Sequence, residues 1–424
     1  MLTLQKTVSQ NHLFNWMNFF APFAGVIGII SFAAVTWFGV GKEVGSWAGD
    51  FTWYYAGGKC FLSGSNMYAL ECVGPIVTDR HGYALIAGLS YPPHFAPLTL
   101  PIATLPYFTS SYLFYIANIV ACLFMVLIVS KTVTRVQIDQ TERVVLSRQW
   151  ALLLVLGSTG IWAAVWLGQL TVFVAICLWM AFRKIETGNE LAAALLLALA
   201  SVKPQISVFV FLWLLLHRRY RVLALSAAIA GLLSLYAFFT MGFLPAIEGW
   251  LNGMGTYQDY PVNQLGNNSI LGISSFLALW GVHIPIWLGM IIGASVVAVL
   301  RWKSTIEPFG PFALATILLI QMTIFSRPTD LIMIAPVFAL FWPSARSNTF
   351  RLMVFVSAAA LYCFPQQVVA KLISFPEAAH FRTLLLTILV IAFVRQMLRG
   401  LNKFDDVASL NHRQAVKQYN LPTV

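Results

Sequence analysis

The chain has 424 residues, of which 59% are hydrophobic and 10% are charged, with a mean hydropathy of +0.78. A soluble fold cannot bury that much apolar surface, so the composition excludes a soluble globular protein and predicts an all-α polytopic membrane protein. The net charge of +11 arises from short basic clusters between apolar runs. That pattern is typical of cytoplasmic membrane loops and argues against nucleic acid as a partner.

The first predicted element is a membrane helix over residues 15–40, since no Lys, Arg, Asp or Glu stands between Thr7 and Gly41. The run is too long for the apolar core of a signal peptide, so we expect it to be retained. Residues 42–106 read as a large polar loop and residues 107–130 as the second helix. The basic stretch that follows predicts a cytoplasmic loop, which places the N-terminus inside and the loop 42–106 outside.

Two uncharged stretches come next, and each is interrupted. Residues 149–182 are broken near Gln169, and residues 191–216 are broken at Lys203-Pro204. The halves of the second stretch rise only about 20 Å as helices, short of the roughly 30 Å hydrocarbon core. We therefore predict two short hairpins with Gln169 and Lys203 at their outer tips. The alternative, one continuous helix over 191–216, would place the arginines behind it outside, against the positive-inside rule.

The remaining elements alternate between apolar runs and polar loops. A helix over 221–242 leads to a second outer loop, residues 243–267, and a short apolar segment, residues 268–281. Further helices are predicted at residues 284–300, 310–325, 328–342, 352–370 and 382–398. One integral membrane domain thus covers residues 1–400, and residues 401–424 form a polar cytoplasmic tail.

Polar and ionisable side chains gather on the predicted outer face, where such residues often mark a substrate site. They come from six separate stretches of the chain and include Asp50, Tyr54, Tyr55, Tyr91, His94, Gln169, Lys203, Asn268, Arg327 and Asp330. Each also has an ordinary structural explanation. Asp50 is a favoured residue type for a helix N-cap, Lys203 can extend toward lipid headgroups, and the tyrosines can form an aromatic belt.

The cysteines and the motifs of soluble enzymes add little. Cys60 and Cys72 share the first outer loop, so a disulfide between them is possible but not required by the sequence. The chain lacks a nucleotide-binding Gly-rich loop, a nucleophile elbow and a zinc-binding His pair, and it has no Asp-x-Asp pair for a metal. No cofactor and no metal are predicted.

Several short motifs in a fixed order resemble glycosyltransferase family 87, a branch of the GT-C superfamily. They are Asp50 with Tyr54-Tyr55 and Ala56-Gly57-Gly58, Gly64 with Asn66-Met67-Tyr68, Tyr91-Pro92-Pro93, Leu167-Gly168-Gln169, Lys203-Pro204-Gln205, Asn267-Asn268-Ser269, and Ser326-Arg327-Pro328 with Asp330. The chain departs from the family pattern at Thr329, where a Tyr is usual, and at Tyr55-Ala56, where an Arg is expected.

The resemblance implies a bundle of roughly 10–13 transmembrane helices and a hexosyltransferase, most simply a mannosyltransferase. It implies a polyprenyl-phosphate sugar as donor and a lipid or glycan hydroxyl as acceptor, with membrane lipids as surroundings. The expected location is the bacterial cytoplasmic membrane, with both termini inside and the active site outside. The sugar, acceptor, linkage and oligomeric state stay open.

The resemblance also implies roles for the outer-face residues. Asp50 is expected to be the base of an inverting single displacement, with Lys203 and Arg327 holding the donor phosphate. The expected substrate-binding residues are Tyr54, Tyr55, Tyr91, His94, Gln169, Asn268 and Asp330. Aromatic residues of the second outer loop are further candidates for stacking on sugar, namely Trp250, Tyr257 and Tyr260.

Two other classes of protein fit part of the pattern. A polysaccharide polymerase or ligase is also a multi-helix membrane enzyme with an outward-facing site, and it uses a lipid-linked oligosaccharide. A lipid or sugar transporter would be expected to show internal repeats and polar residues at mid-membrane depth. The sequence shows neither clearly, which favours an enzyme at the membrane interface.

Overall fold

The computed structural model describes residues 22–30, 33, 49–81, 88–133, 148–260, 263–267, 270–304, 307–336, 357, 360–361 and 380–398. Within these ranges the chain is helical and contains no β-strand, only one antiparallel bridge between Leu271 and Ser326. The prediction of an all-α polytopic membrane protein is confirmed.

In the part of the chain that the structure describes, a helical segment over residues 22–30 comes first, and the helices labelled α1 to α15 follow it. The first eight are α1 Gly49–Leu62, α2 Leu70–His81, α3 Ala96–Ala103, α4 Tyr107–Val133, α5 Arg148–Leu156, α6 Thr159–Leu167, α7 Thr171–Glu186 and α8 Glu190–Ala200. The others are α9 Pro204–Leu216, α10 Tyr220–Met241, α11 Phe243–Thr256, α12 Ile273–Ala278, α13 Ile286–Lys303, α14 Pro311–Ile324 and α15 Phe381–Leu398. Three 3-10 helices join them, at Pro93–Phe95, Tyr257–Asp259 and Pro328–Ile334.

Among the described residues, three helices are long and apolar enough to cross a membrane: Tyr107–Lys131, Tyr220–Met241 and Ile286–Lys303. A fourth candidate is the bent pair Gln149–Leu156 and Gly160–Leu167. The long helices leave large apolar side chains exposed, among them Phe239, which is 83% exposed. Such surface is costly in water and natural against lipid tails, so these helices supply the lipid-facing side of the fold.

The segment predicted as the first outer loop is largely helical. It contains α1, α2, α3 and the 3-10 helix Pro93–Phe95. Helix α1 packs closely on α3 because Gly58 has no side chain: a Cβ there would lie 2.8 Å from the Cβ of Ala103. A disulfide between Cys60 and Cys72 ties α1 to α2. The question that the sequence left open is thus answered in favour of the disulfide.

The second outer loop also folds. Helix α11 occupies most of it, and Gly253 lets that helix touch the first loop, since a Cβ there would lie 2.2 Å from the carbonyl oxygen of Leu89. The helix in this stretch packs against residues of the first loop. A sequence pattern within one segment does not reveal such contacts with a distant segment. The two outer loops therefore form one helical layer.

Both predicted interruptions are present. Helix α6 ends at Gly168, which adopts the left-handed conformation with φ 69°, and α7 begins at Thr171. Helix α8 ends at Ala200 and α9 begins at Pro204, with Lys203 as its N-cap residue. The structure adds a third break, between α5 and α6, where the Ser158 side chain caps α6 by accepting a hydrogen bond from the backbone N–H of Ile161.

One late segment differs from its prediction. Residues 328–342 were expected to form a membrane helix, whereas Pro328–Ile334 form a 3-10 helix. Gly160 of α6 explains the close packing there, because a Cβ would lie 2.0 Å from the carbonyl oxygen of Pro328. Of the other expectations, the helix 382–398 corresponds to α15. Most of the helix 352–370 and the tail 401–424 lie outside the described residues.

Candidate active site

Asp50 lies in the first turn of α1 and is half-buried. Its side chain does not cap its own helix. Instead, the Oδ2 atom accepts a hydrogen bond from the side-chain amide Nε2 of Gln169. Among the described residues, no side chain or backbone group donates to its other carboxylate oxygen. Asp50 thus keeps acceptor capacity for a ligand.

Gln169 reaches Asp50 because of the glycine before it. Gly168 has φ 69° at the end of α6, and a Cβ there would lie 2.6 Å from the Cβ of Phe51. A residue with a side chain would be strained by the backbone angle and would collide with α1. The tight turn therefore brings the Gln169 side chain, which is 5% exposed, against the beginning of α1.

Lys203 contacts the end of the Gln169 side chain that does not face Asp50. Its Nζ donates to Gln169 Oε1 at 2.7 Å and to Thr171 Oγ1 at 2.5 Å, and it lies 3.6 Å from Asp330 Oδ1. The ammonium group has three N–H bonds, and three protein acceptors surround it. With 5% exposure, Lys203 is a buried cation with a complete set of protein partners.

Asp330 is held as firmly as Lys203. One carboxylate oxygen faces Lys203 and lies 3.2 Å from Thr171 Oγ1. The other accepts a hydrogen bond from the backbone N–H of Arg327 at 2.9 Å, which caps the 3-10 helix Pro328–Ile334. We refer to Asp50, Gln169, Thr171, Lys203 and Asp330 as the polar cluster.

Arg327 borders the polar cluster and carries a free donor. Its guanidinium lies over the ring of Tyr257, 5.4 Å from the centroid. The Nε atom is buried, yet it has no hydrogen-bond partner among the described residues. A buried guanidinium N–H without a partner is unfavourable, so this donor is available to a group that none of the described residues supplies.

A tyrosine pair stands beside Asp50. Tyr54 follows Asp50 by four residues on the same face of α1, and its hydroxyl lies 2.7 Å from that of Tyr91. The backbone carbonyl of Tyr91 accepts a hydrogen bond from the Tyr68 hydroxyl at 2.9 Å. The pair is packed edge to face, with ring centroids 5.1 Å apart. Tyr54 is 1% exposed and belongs to the hydrophobic core, so within the pair it is Tyr91, which is partly buried, that offers an aromatic surface with a hydroxyl tip to a ligand.

Two predicted residues point elsewhere. The Tyr55 hydroxyl donates to the backbone carbonyl of Leu105, and its ring packs with Tyr107. His94 lies 3.0 Å from the Ser201 hydroxyl. Because that hydroxyl donates to the carbonyl of Ala198, the fitting tautomer of His94 carries its proton on Nε2. Asn268 lies outside the described residues.

Thr171 is a member of the cluster that sequence reasoning missed. It is fully buried and is the first residue of α7. A threonine that opens an apolar helix looks like an ordinary helix start. Its only signal was its spacing, two residues after Gln169 and on the same turn.

Burial changes the titration of the site. Burial raises the pKa of Asp50, while the nearby charges of Arg327 and Lys203 and the hydrogen bond from Gln169 lower it. Burial also raises the pKa of Tyr257 to about 12 and lowers that of His94 to about 4. His94 is therefore neutral near pH 7, which suits a packing role better than a charged one.

The described residues contain no group of three or more His, Cys, Asp or Glu side chains that could hold a metal ion. The two carboxylates of the site are both engaged with nitrogen donors.

A comparison with protein families gives the decisive match. The model of glycosyltransferase family 87 matches residues 89–326, more than half of the chain. The chain belongs to glycosyltransferase family 87. It is thus a membrane glycosyltransferase that uses a sugar donor and an acceptor. No curated protein and no solved structure matches the chain.

The match also divides the site of this family 87 enzyme. Gln169, Thr171 and Lys203 lie inside the matched region, whereas Asp50 and Asp330 lie on either side of it. The two carboxylates nevertheless meet the matched segment directly, Asp50 through Gln169 and Asp330 through Lys203. The polar cluster is therefore assembled from the matched region and from the segments that flank it on both sides.

Proposed function

We propose that this enzyme transfers a hexose, mannose in the first instance, from a polyprenyl-phosphate sugar to a hydroxyl group of a lipid or glycan on the extracytoplasmic face. The reaction is an inverting single displacement with Asp50 as general base. The observation that carries the proposal is the convergence of a carboxylate with spare acceptor capacity and a cation with an unpaired, buried donor. Asp50 supplies the first and Arg327 the second.

The environment of the two carboxylates distinguishes their roles. Asp330 is 7% exposed, and its oxygens face Lys203, Thr171 and the backbone of Arg327. Asp50 is half-buried, and in the described part of the chain Gln169 is the one side chain that donates a hydrogen bond to it. A general base must reach the proton of its substrate, so Asp50 fits that role and Asp330 fits a structural one.

The reaction needs no carboxylic acid besides Asp50, because each bond and the proton are accounted for. The acceptor oxygen attacks the anomeric carbon while its proton passes to Asp50. The bond between that carbon and the phosphate oxygen breaks, and polyprenyl phosphate leaves with the electron pair. Because phosphate is a good leaving group, no carboxylic acid is needed to protonate it, unlike in glycoside hydrolysis.

Arg327 is placed to bind the leaving phosphate. Its guanidinium can donate to two phosphate oxygens at once, and none of the described residues accepts a hydrogen bond from its Nε. Lys203 was also predicted to hold this phosphate. Since its three donors face protein acceptors, we assign the direct contact to Arg327 and a contribution of positive charge at short range to Lys203.

Two features support an extracytoplasmic site. The disulfide Cys60–Cys72 lies in α1 and α2, next to the site, and disulfides persist in oxidising compartments. The basic residues Arg301 and Lys303 end α13, and an excess of Lys and Arg marks cytoplasmic loops. Both features favour placing the polar cluster and these basic ends on opposite faces of the membrane.

The proposal is tested by measuring the transfer of radiolabelled sugar from polyprenyl-phosphate mannose, glucose and arabinose into membrane lipid and glycan. Membranes containing wild type, Asp50→Asn and Asp79→Asn are compared. Asp79 is a matched control because its side chain is 71% exposed on α2. We expect one donor to be used by wild type and Asp79→Asn. Loss of a positioned base lowers a rate by roughly 10²–10⁴-fold, so Asp50→Asn should be nearly inactive.

Two outcomes would contradict the proposal. Near-normal transfer by Asp50→Asn at wild-type expression would remove Asp50 from the base role. No transfer by wild type from any of the three donors, with transfer from a lipid-linked oligosaccharide, would indicate a polymerase or ligase.

A further inference from the structure

Gln169 lies between a group that can only accept hydrogen bonds and a group that can only donate them. Its Nε2 donates to the Asp50 carboxylate, and its Oε1 accepts from the Lys203 ammonium at 2.7 Å. The side-chain amide has one donating and one accepting end, so only one of its two orientations satisfies both neighbours. An ammonium in contact with Oε1 thus forces the amide N–H groups toward Asp50.

Lys203 is itself held in place for this task. Thr171 and Asp330 take its other two N–H bonds, so the ammonium cannot turn away from Gln169 without losing buried partners. The Thr171 hydroxyl lies 3.2 Å from both Gln169 Oε1 and Asp330 Oδ1, and it can donate to either. Every donor of the ammonium is thus engaged within the polar cluster.

We propose that Gln169 is a positioning residue, and that Lys203 orients the catalytic base through it rather than by binding the donor phosphate. Asp50 stands at the first turn of α1, and among the described residues Gln169 alone donates to its carboxylate. With the amide fixed, Oδ2 is occupied and Oδ1 is left for the acceptor hydroxyl. This inference rests on the proposed role of Asp50 as base.

The cluster also sets the charge of the base. The charged and titratable groups around Asp50 are Arg327, Lys203, Asp330, Tyr54, Tyr91 and Tyr257. Of these, the two cations favour the carboxylate form, and so does the Gln169 hydrogen bond. Loss of the oriented amide should therefore raise the pKa of Asp50, a change that a merely structural defect elsewhere would not produce.

The test reads the titration of Asp50 by infrared spectroscopy, without substrate. Its carboxylic-acid C=O band is the one that disappears in Asp50→Asn. We expect the midpoint of that band to move to higher pH by about one unit in Gln169→Met, and further in the isosteric Gln169→Glu, which places a second carboxylate there. Gln321→Met is the matched control, because Gln321 is a buried amide of α14 whose Oε1 has no partner among the described residues.

A double-mutant cycle separates the route through Gln169 from the direct charge of Lys203. Lys203→Met should raise the midpoint in wild type and raise it clearly less in the Gln169→Met background, because contacting residues of one network are non-additive. Equal effects in both backgrounds would show that Lys203 acts by charge alone and would overturn the proposal.

Kinetics give a second, independent readout. Gln169→Met and Lys203→Met should lower kcat by roughly ten- to a hundredfold with little change in the KM of the donor. A large rise in the donor KM for Lys203→Met, with kcat unchanged, would show that Lys203 binds the donor phosphate and would contradict the proposal. An active Asp50→Asn would refute the proposed function itself. An inactive Asp50→Asn beside normal Gln169 variants would refute this inference alone.

Discussion

Two aspartates of one site differ in what surrounds them, and that difference assigns their work. Both carboxylate oxygens of Asp330 contact protein groups, namely an ammonium, a hydroxyl and a backbone N–H. Asp50 has one amide donor and remains half-buried. At the scale of single residues, the chemistry of the carboxyl group is constant, and the number of free acceptor positions decides its role.

The pH dependence of the rate should report the burial of Asp50. Burial raises its pKa, and the base must be deprotonated to act. On lowering the pH, kcat is therefore expected to fall at a pH above that of an ordinary exposed aspartate. Rates of single-turnover transfer measured across the acid range give the midpoint. A midpoint at or below the ordinary aspartate value would show that the surrounding cations outweigh burial.

Arg327 should be sensitive even to a conservative change. Arg327→Lys keeps the charge but loses the planar fork, so one phosphate contact disappears. We expect the donor KM to rise about tenfold with a smaller change in kcat, in line with about 1.5 kcal/mol for a lost charge-assisted hydrogen bond. Steady-state kinetics with Arg80→Lys as control check this. Arg80 is a second arginine stacked on aromatic rings, those of Tyr107 and Phe108, away from the cluster. An unchanged donor KM would remove Arg327 from phosphate binding.

Much of the site was visible in the sequence as residue types at interruptions of apolar runs. Gln169 and Lys203 lie at helix breaks that Gly168 and Pro204 predict. Asp50 follows the first apolar run. The partners were not visible. That Gln169 faces Asp50, and that Tyr55 turns toward Leu105 instead, depends on how α1 packs against α6 and α4. Such packing is a property of tertiary structure that no local pattern encodes.

At the scale of elements, glycines set the distances between helices that carry the site. Gly160 brings α6 against Pro328, the residue that follows Arg327, and Gly168 brings the end of α6 against Phe51, the residue that follows Asp50. Helix α6 thus contacts both the segment that carries Arg327 and the segment that carries Asp50, and its packing sets their relative position. The sequence predicted the break at Gly168 but gave no reason to single out Gly160, since a glycine inside an apolar helix has several explanations.

Gly160→Ala should disturb the site without touching any of its polar groups. The added Cβ would lie 2.0 Å from the carbonyl oxygen of Pro328, so the 3-10 helix must move. We expect a loss of about 1–3 kcal/mol of stability, as for other overpacked positions, and a large drop in transfer. Thermal unfolding in detergent and the transfer assay measure these. Gly74→Ala is the control, because a Cβ there meets open space within 4 Å. Wild-type stability and activity of Gly160→Ala would refute the argument.

At the scale of the whole molecule, the described helices divide into a lipid-facing set of long helices and a layer of short helices built from α1, α2, α3 and α11. The composition of the chain predicted the first part directly, because long apolar runs have few alternatives. The second part was predicted only as polar loops. Its short helices are stabilised by contacts between the two loops, such as Gly253 against Leu89, rather than by any periodic pattern.

The orientation of the chain is testable by labelling from outside the cell. We expect Glu248→Cys, on α11, to react with a membrane-impermeant maleimide, and Arg221→Cys, at the start of α10, to stay unlabelled until the membrane is opened. Both positions are exposed, so accessibility depends on the membrane alone. The parent chain is the blank, because its described free cysteines, Cys122 and Cys177, are buried or half-buried. Outside labelling at Arg221→Cys would reverse the orientation and remove the hairpin arrangement of α8 and α9.

The disulfide between Cys60 and Cys72 has a practical consequence for the biogenesis of the enzyme. It ties α1, the helix that carries Asp50, to α2. If the site is extracytoplasmic, as we propose, its maturation is coupled to thiol oxidation outside the cytoplasm. A production host or cell-free system that keeps thiols reduced would yield a full-length, membrane-inserted chain in which α1 is not linked to α2. The amount of protein on a gel would then overstate the amount of active enzyme, and oxidation after purification would restore the activity.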